Sequence, residues 1–340
     1  MTGRGRMWHE TLRGLADLCD VRSVNEHSSK RFSSLRGGRP DAWLYDGHQG
    51  PRAVREPQVI HLLEAPWNEP DTMDTLEPSF IEQVVEPSRR AAAAAAAIIC
   101  PSESAKRQII DDCGVPAEEV FVAHLGVDHA VFRPGREGGA ALVAEHGGNG
   151  DRPYVLTVAS VHPRKNLGAL RDAVAELVAD DFPHQLVVVG GPAHGRADAE
   201  ALAAATMAEL PGAPDRIVSL PFGISDDALA TLMCGADVFC LPSLSEGFGL
   251  PAAEAMACGT PAVLSARGSL VEVGADAAVM VEPNSSDIAR GIRSLLTDPE
   301  RARSVGAAGA ARAMAFDWDD SAAVWFEAIS SAVSAGARSR

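Results

Sequence analysis

The chain has no excess of positive charge. Its 340 residues carry 30 Lys and Arg against 46 Asp and Glu, a formal net charge of −16 with a pI near 5.0. General nucleic-acid binding needs a cationic footprint and is excluded on that ground. The first 40 residues depart from the average, with eight Arg or Lys against four acids. A solvated face accounts for that start, and a patch for an anionic lipid-linked acceptor or a membrane surface is the sharper alternative. Cysteine is sparse: six are scattered at positions 19, 100, 113, 234, 240 and 258 with no paired metal-ligand spacing. They read as reduced core thiols. No signal peptide is apparent, and the longest apolar run, Ala91 to Cys100, falls far short of the roughly 20 residues a membrane span needs. The expectation is a cytoplasmic chain, with peripheral membrane contact left open. No internal repeat of short period appears.

With 46% hydrophobic residues there is enough apolar material for two cores, and at roughly 150 residues per domain the length suggests two domains. The first half alternates short apolar runs with helical stretches. Strands are expected at Val21 to Val24, Ala42 to Tyr45, Gln58 to Leu63, Ala97 to Cys100 and Val120 to His124. Helices are expected near Trp8 to Leu18, Phe80 to Ala95 and Ser104 to Asp112. Gly, Pro and charge gather between Arg133 and Pro153, read as an interdomain linker (residues 136–152) with one helical turn near Ala140 to Glu145, between domains at 1–135 and 153–316. The second half restarts the alternation from Tyr154 to Val158, with Asn166 placed to cap a helix Leu167 to Ala179 and a further helix near Ala197 to Leu210. Two open, parallel α/β sheets follow from this pattern.

The most informative segment is Ser245-Glu246-Gly247-Phe248-Gly249-Leu250-Pro251-Ala252-Ala253-Glu254. It follows Val238 to Leu241, an apolar run that reads as a buried strand. Pro251 suits the first position of a helix, and Gly259 with Pro261 stops it. Strand, glycine loop and helix together point backbone N–H groups and a helix dipole at an anion, usually a phosphate. Glu246 at the strand exit and Glu254 in the first helical turn would border that pocket and accept hydrogen bonds from hydroxyls. The bland alternative is a solvated loop acid and a dipole-complementing acid. His162-Pro163-Arg164-Lys165-Asn166 is a second landmark in a loop between strand and helix, where ligand sites of parallel sheets are built. A basic turn ahead of a helix is its bland alternative. Val189-Gly190-Gly191-Pro192 is a third glycine loop, without dinucleotide-fingerprint spacing, in which structural punctuation is as good a reading as donor contact. Asp317-Trp318-Asp319 looks like a metal-binding acid pair but is discounted in favour of helix capping, and no metal or other cofactor is expected.

The glutamate run resembles the signature of retaining glycosyltransferases of the two-Rossmann-domain (GT-B) architecture: glycosyltransferase family four, the mannosyltransferase-like group 1 glycosyl transferases. The resemblance implies a donor site for a nucleotide diphosphate sugar, GDP- or UDP-linked. Glu246 would take the sugar hydroxyls, Phe248, Gly249 and Leu250 would supply main-chain N–H groups to sugar and phosphate with Gly247 beside them in the donor site, and Glu254 would take the ribose. Lys165 matches the family's diphosphate lysine. The arginine that many members carry six residues earlier is Ala159 here, and Arg164 is read as its substitute. His61 resembles the family's active-site histidine, although Leu62 replaces the usual acidic neighbour and a structural role competes. Gly190 and Gly191 fall near base or donor. Gly3 and Gly5 resemble the glycine-rich acceptor-side loop, without the strand that normally precedes it, as a shortened start or a missing strand would produce.

The resemblance also implies a central cleft, a C-terminal helix (317–340) crossing back to the first domain, and hexose transfer to an acceptor hydroxyl with retention of configuration. The acceptor class, whether glycan, lipid-linked or small molecule, is not legible. An inactive nucleotide-sugar-binding partner protein and a sugar-nucleotide epimerase are the alternatives.

Overall fold

The computed structural model describes residues 3–21, 40–65, 81–192, 206, 210, 213–221 and 223–338. The described residues divide into two compact units, one holding those up to Gly126 together with the segment from Trp318 onward, the other those of Val127–Asp317.

In the first unit, β1 (Trp43–Asp46), β2 (Gln58–His61), β3 (Ala97–Cys100) and β4 (Val120–Val122) pair in chain order, all parallel. A parallel sheet covered on both faces needs apolar side chains throughout, and Val59, Ile60, Ile98 and Ile99 are all buried. The helix Glu103–Cys113 is capped by Ser102, whose hydroxyl accepts from the Ala105 N–H. The chain returns to this unit at its end, where the helix Trp318–Arg338 packs on the sheet and against the helix Gly3–Ala16. That first helix corrects one expectation: Gly3 and Gly5 lie inside it rather than in a glycine-rich loop. The expected strand at Val21 to Val24 lies almost wholly outside the described residues, as does most of the helix expected near Ala197 to Leu210.

The second unit holds β5 (Tyr154–Val158), β6 (Gln185–Val189), β7 (Ile217–Leu220), β8 (Val238–Leu241), β9 (Ala262–Ser265) and β10 (Val279–Val281). They form one parallel sheet in the order β10-β9-β8-β5-β6-β7. From β5 the chain builds outward to β7, then returns to the other side of β5 with β8. That reversal puts a topological switch point between β5 and β8, where open α/β sheets bind ligands at the carboxyl ends of their strands. The helices are placed by local signals: Ser225 caps Asp226–Gly235, Asn284 caps Ser285–Leu296, and Asp298 caps Pro299–Ala313. Residues 136–152 are not a free linker. They belong to this unit, where the helix Gly139–Glu145 packs on the helix Asp226–Gly235 with Val143 fully buried. The helical turn expected near Ala140 to Glu145 is present, beginning one residue earlier at Gly139.

Candidate functional site

The loop leaving β8 turns sharply at Gly249, whose φ of 98° is the left-handed region that favours glycine. A Cβ there would also sit 2.5 Å from Leu270 Cδ2, so both conformation and space require glycine. Gly249 caps the helix Leu250–Ala257, which starts one residue before the expected position and puts Pro251 second. Glu254 therefore falls in the second turn rather than the first, and its side chain is buried. Phe248 anchors the loop by an edge-on contact with Phe316 at 5.2 Å between ring centroids.

Three strand-end loops meet around Glu246. Its carboxylate is 8% exposed and takes two hydrogen bonds of 2.6 Å from Lys165 Nζ, one to each oxygen. The Ser243 hydroxyl donates a third at 2.7 Å, and Arg164 lies 3.5 Å from Oε2. Burial would raise the Glu246 carboxyl, but Lys165, Arg164 and these hydrogen bonds outweigh it and hold the group below the usual carboxylate range. It is ionised at neutral pH.

The loop after β5 is fixed as firmly. His162 accepts from the Arg164 N–H, Pro163–Lys165 forms a single tight turn, and Asn166 adopts φ 55° to redirect the chain into the helix Leu167–Ala179. Asn166 makes no side-chain cap, contrary to expectation. Its amide instead donates to the carbonyls of Pro242 (3.2 Å) and Pro283 (2.8 Å), tying three loops together. The Leu244 N–H donates to the Arg164 carbonyl at 2.7 Å, and the Arg164 guanidinium donates to the Ser245 carbonyl at 3.0 Å. Lys165 and Glu246, 81 residues apart in sequence, face each other because β5 and β8 are neighbours. Two cations and one carboxylate leave a local excess of one positive charge at the switch point, beside the amino end of a helix.

Other expected residues have local partners of their own. Gly190 is a packing glycine, since a Cβ on it would come 1.9 Å from the Ala159 carbonyl oxygen, and the Gly191 carbonyl accepts from the Val161 N–H at 2.9 Å. They join the ends of β5 and β6, which suffices to explain them. Ala159, where an arginine is common in the family, is 6% exposed. In the first unit, His61 is 1% exposed, stacked on Trp325 at 5.1 Å with Trp8 edge-on at 6.0 Å. Gly3 and Gly5 are helical. The sequence reading missed the buried serines behind the loop: Ser243 on the carboxylate, Ser265 donating to the Ser243 carbonyl, and Ser269. Lone serines carry no spacing signal that could have marked them.

A parallel sheet with a glycine-turned loop and a basic turn at its switch point is the class of open α/β fold that builds ligand sites at strand ends, and the comparisons with known proteins make it particular. Residues 141–312, just over half of the chain, match the family model "Glycosyl transferases group 1", and residues 71–131 match "Glycosyltransferase Family 4". The chain belongs to the group 1 glycosyl transferases. It is 36% identical over 246 residues to an MMP alpha-(1->4)-mannosyltransferase of Mycolicibacterium hassiacum, covering 70% of this chain and 55% of the relative. It is 33% identical over 270 residues to a D-inositol 3-phosphate glycosyltransferase of Kineococcus radiotolerans, covering 74% of this chain and 59% of the relative. The chain thus spans about half the length of the curated relatives it matches. Among solved structures, HepE from Anabaena in complex with UDP and glucose aligns with TM-score 0.68 at 23% identity, over 82% of this chain and 72% of that one. Sucrose-phosphate synthase from Thermosynechococcus elongatus aligns with TM-score 0.65 at 24% identity, over 81% and 67%. These likenesses show the GT-B type of fold, two parallel-sheet α/β domains. Among the described residues no helix is long and apolar enough to cross a membrane.

Proposed function

We propose that the chain is a retaining glycosyltransferase moving a hexose, of mannose or glucose type, from a nucleotide diphosphate sugar to an acceptor hydroxyl. The observation that carries this reading is the Lys165–Glu246–Arg164 cluster at the switch point, next to the amino end of the helix Leu250–Ala257 with Glu254 buried one turn in. A diphosphate leaving group gains negative charge as the glycosidic bond breaks. Fixed cations and helix N–H groups in a desolvated site stabilise that charge more than they stabilise the intact donor. Lys165 and Arg164 supply the cations, and Glu246 holds Lys165 in place and accepts from a sugar hydroxyl. Glu254 receives the ribose. The acceptor oxygen attacks on the face the phosphate leaves, and the departing phosphate oxygen takes the acceptor proton, so the reaction needs no carboxylate nucleophile and no resident cofactor or metal.

The relatives named above act on mannose or inositol phosphate by their names, and the HepE structure holds UDP and glucose. A donor of the GDP- or UDP-hexose class fits the same site here. Thermal-shift screening against UDP-, GDP-, ADP- and TDP-sugars, followed by transfer assays with the stabilising donor, tests the reading. Stabilisation by one donor, lost in Glu246→Ala together with turnover, is the expected result. Donor binding with neither transfer nor hydrolysis would identify an inactive binding partner, and donor conversion without acceptor an epimerase.

A further inference from the structure

Ser269 immediately precedes the short helix Leu270–Gly274, where a serine hydroxyl ordinarily accepts a hydrogen bond from a first-turn N–H. It makes no such bond. The side chain is fully buried, and its Oγ lies 2.7 Å from the Glu246 carbonyl oxygen and 2.8 Å from the Phe248 carbonyl oxygen. One hydroxyl hydrogen is shared between the two carbonyls of the loop after β8. No peptide bond in the described chain is cis, so each carbonyl and the N–H of the next residue point in opposite directions. Drawing the carbonyls of Glu246 and Phe248 onto Ser269 therefore turns the N–H groups of Gly247 and Gly249 away from it. Leu270 completes the template, because its side chain fills the space that a Cβ on Gly249 would need. Two consecutive residues outside the glutamate run thus set the shape of the loop within it.

We propose that Ser269 is a positioning residue for the donor, presenting the backbone N–H of Gly249 to the diphosphate of the nucleotide sugar. This rests on the donor-site reading above and refines it, since the sequence placed Gly249 among the main-chain donors without showing what aims its N–H. The role is one of geometry: Ser269 touches the loop, and the loop touches the phosphate. A hydroxyl at this position is what matters, so threonine should serve and alanine should not.

The test compares wild type, Ser269→Ala and Ser269→Thr. Isothermal titration with UDP and GDP, and with UMP and GMP, reads the phosphate contacts. Hydrogen exchange of the unliganded loop peptide containing residues 245–250 reads the loop itself. Ser269→Ala should keep its melting temperature within a few degrees, weaken the preferred diphosphate about tenfold, leave the monophosphate nearly unchanged and speed exchange in the loop. Ser269→Thr should restore both readouts. Equal weakening of mono- and diphosphate would mark a general collapse of the site and overturn the proposal. If wild type binds a diphosphate and Ser269→Ala binds it equally well with unchanged loop exchange, the role of Ser269 fails alone. If wild type binds none of the four nucleotides, the donor reading fails and this role falls with it.

Discussion

Replacing Lys165 by methionine removes the cation that contacts both oxygens of a carboxylate 8% exposed, while keeping most of the side-chain volume. At 2.6 Å and an effective dielectric near 20, the direct attraction is about 6 kcal/mol. Most of that is offset by the desolvation both groups have already undergone. Breaking a buried pair from one side typically costs about 3–5 kcal/mol. Here Arg164 at 3.5 Å and the Ser243 hydroxyl at 2.7 Å remain on the carboxylate, which lowers the expected loss to about 2–3 kcal/mol. For a unit of this size that is a fall of roughly 5–10 °C in melting temperature.

The sign of the pH dependence follows from the depressed Glu246 carboxyl. Its contribution is fully present above the ordinary glutamate value of 4.5 and is lost as pH falls through the lower folded value. The gap between wild type and Lys165→Met should therefore be complete at pH 7 and narrow below pH 4.5. Glu246→Gln and the double variant complete a thermodynamic cycle, read by urea unfolding at pH 7. A coupling of about 1–3 kcal/mol is expected. Costs that add within about 0.5 kcal/mol would refute the picture of one buried ion pair knitting the β5 and β8 loops.

Glu246→Ala should lower turnover by about two to three orders of magnitude with the fold retained, and near-normal transfer would contradict its assignment. Glu254→Gln should raise the donor KM about tenfold with kcat little changed, as loss of a ribose contact demands; a fall in kcat at unchanged KM would place Glu254 at the reacting centre instead. Gly249→Ala faces both the left-handed φ and the Leu270 side chain, and should cost about 2–4 kcal/mol in urea unfolding; an unmoved midpoint would show that the loop rearranges freely. His61→Ala, which opens the stack with Trp325, should cost about 2–4 kcal/mol, and a melting temperature equal to wild type would remove its structural role.

The buried strands were legible because parallel-sheet strands write themselves as short unbroken apolar runs: Ala97–Cys100, Tyr154–Val158 and Val238–Leu241 all lie where the runs predict. Caps were read less well than helix bounds wherever a polar residue could serve two partners: the helix Leu167–Ala179 lies where expected, but its cap does not form. Asn166 and Ser269 both stand where a cap belongs, and each sends its side chain to a neighbouring loop instead. A capping bond is a local interaction worth about 1 kcal/mol, and a buried carbonyl brought close by the fold outbids it. In the segment 136–152 the helical turn near Ala140 to Glu145 was legible but its place in the fold was not: its glycines and charges resemble a linker, and it is the surface of the helix Asp226–Gly235 that gives Val143 somewhere to be buried.

The site itself divides along the same line. Each half was visible alone, one as a glycine loop with two acids and the other as a basic turn, because each depends on residues within a few positions. Their meeting depends on strand order. Had β8 added beyond β7 rather than beside β5, the same two motifs would stand at opposite ends of a sheet edge with Lys165 and Glu246 too far apart to touch. The chain instead reverses at β5, and the pairing of Val155 with Val238 and of Leu156 with Phe239 delivers both loops to one end of adjacent strands. The ion pair between them is thus a consequence of topology, and the packing of β5 against β8 is as necessary to the proposed donor site as the charged side chains themselves.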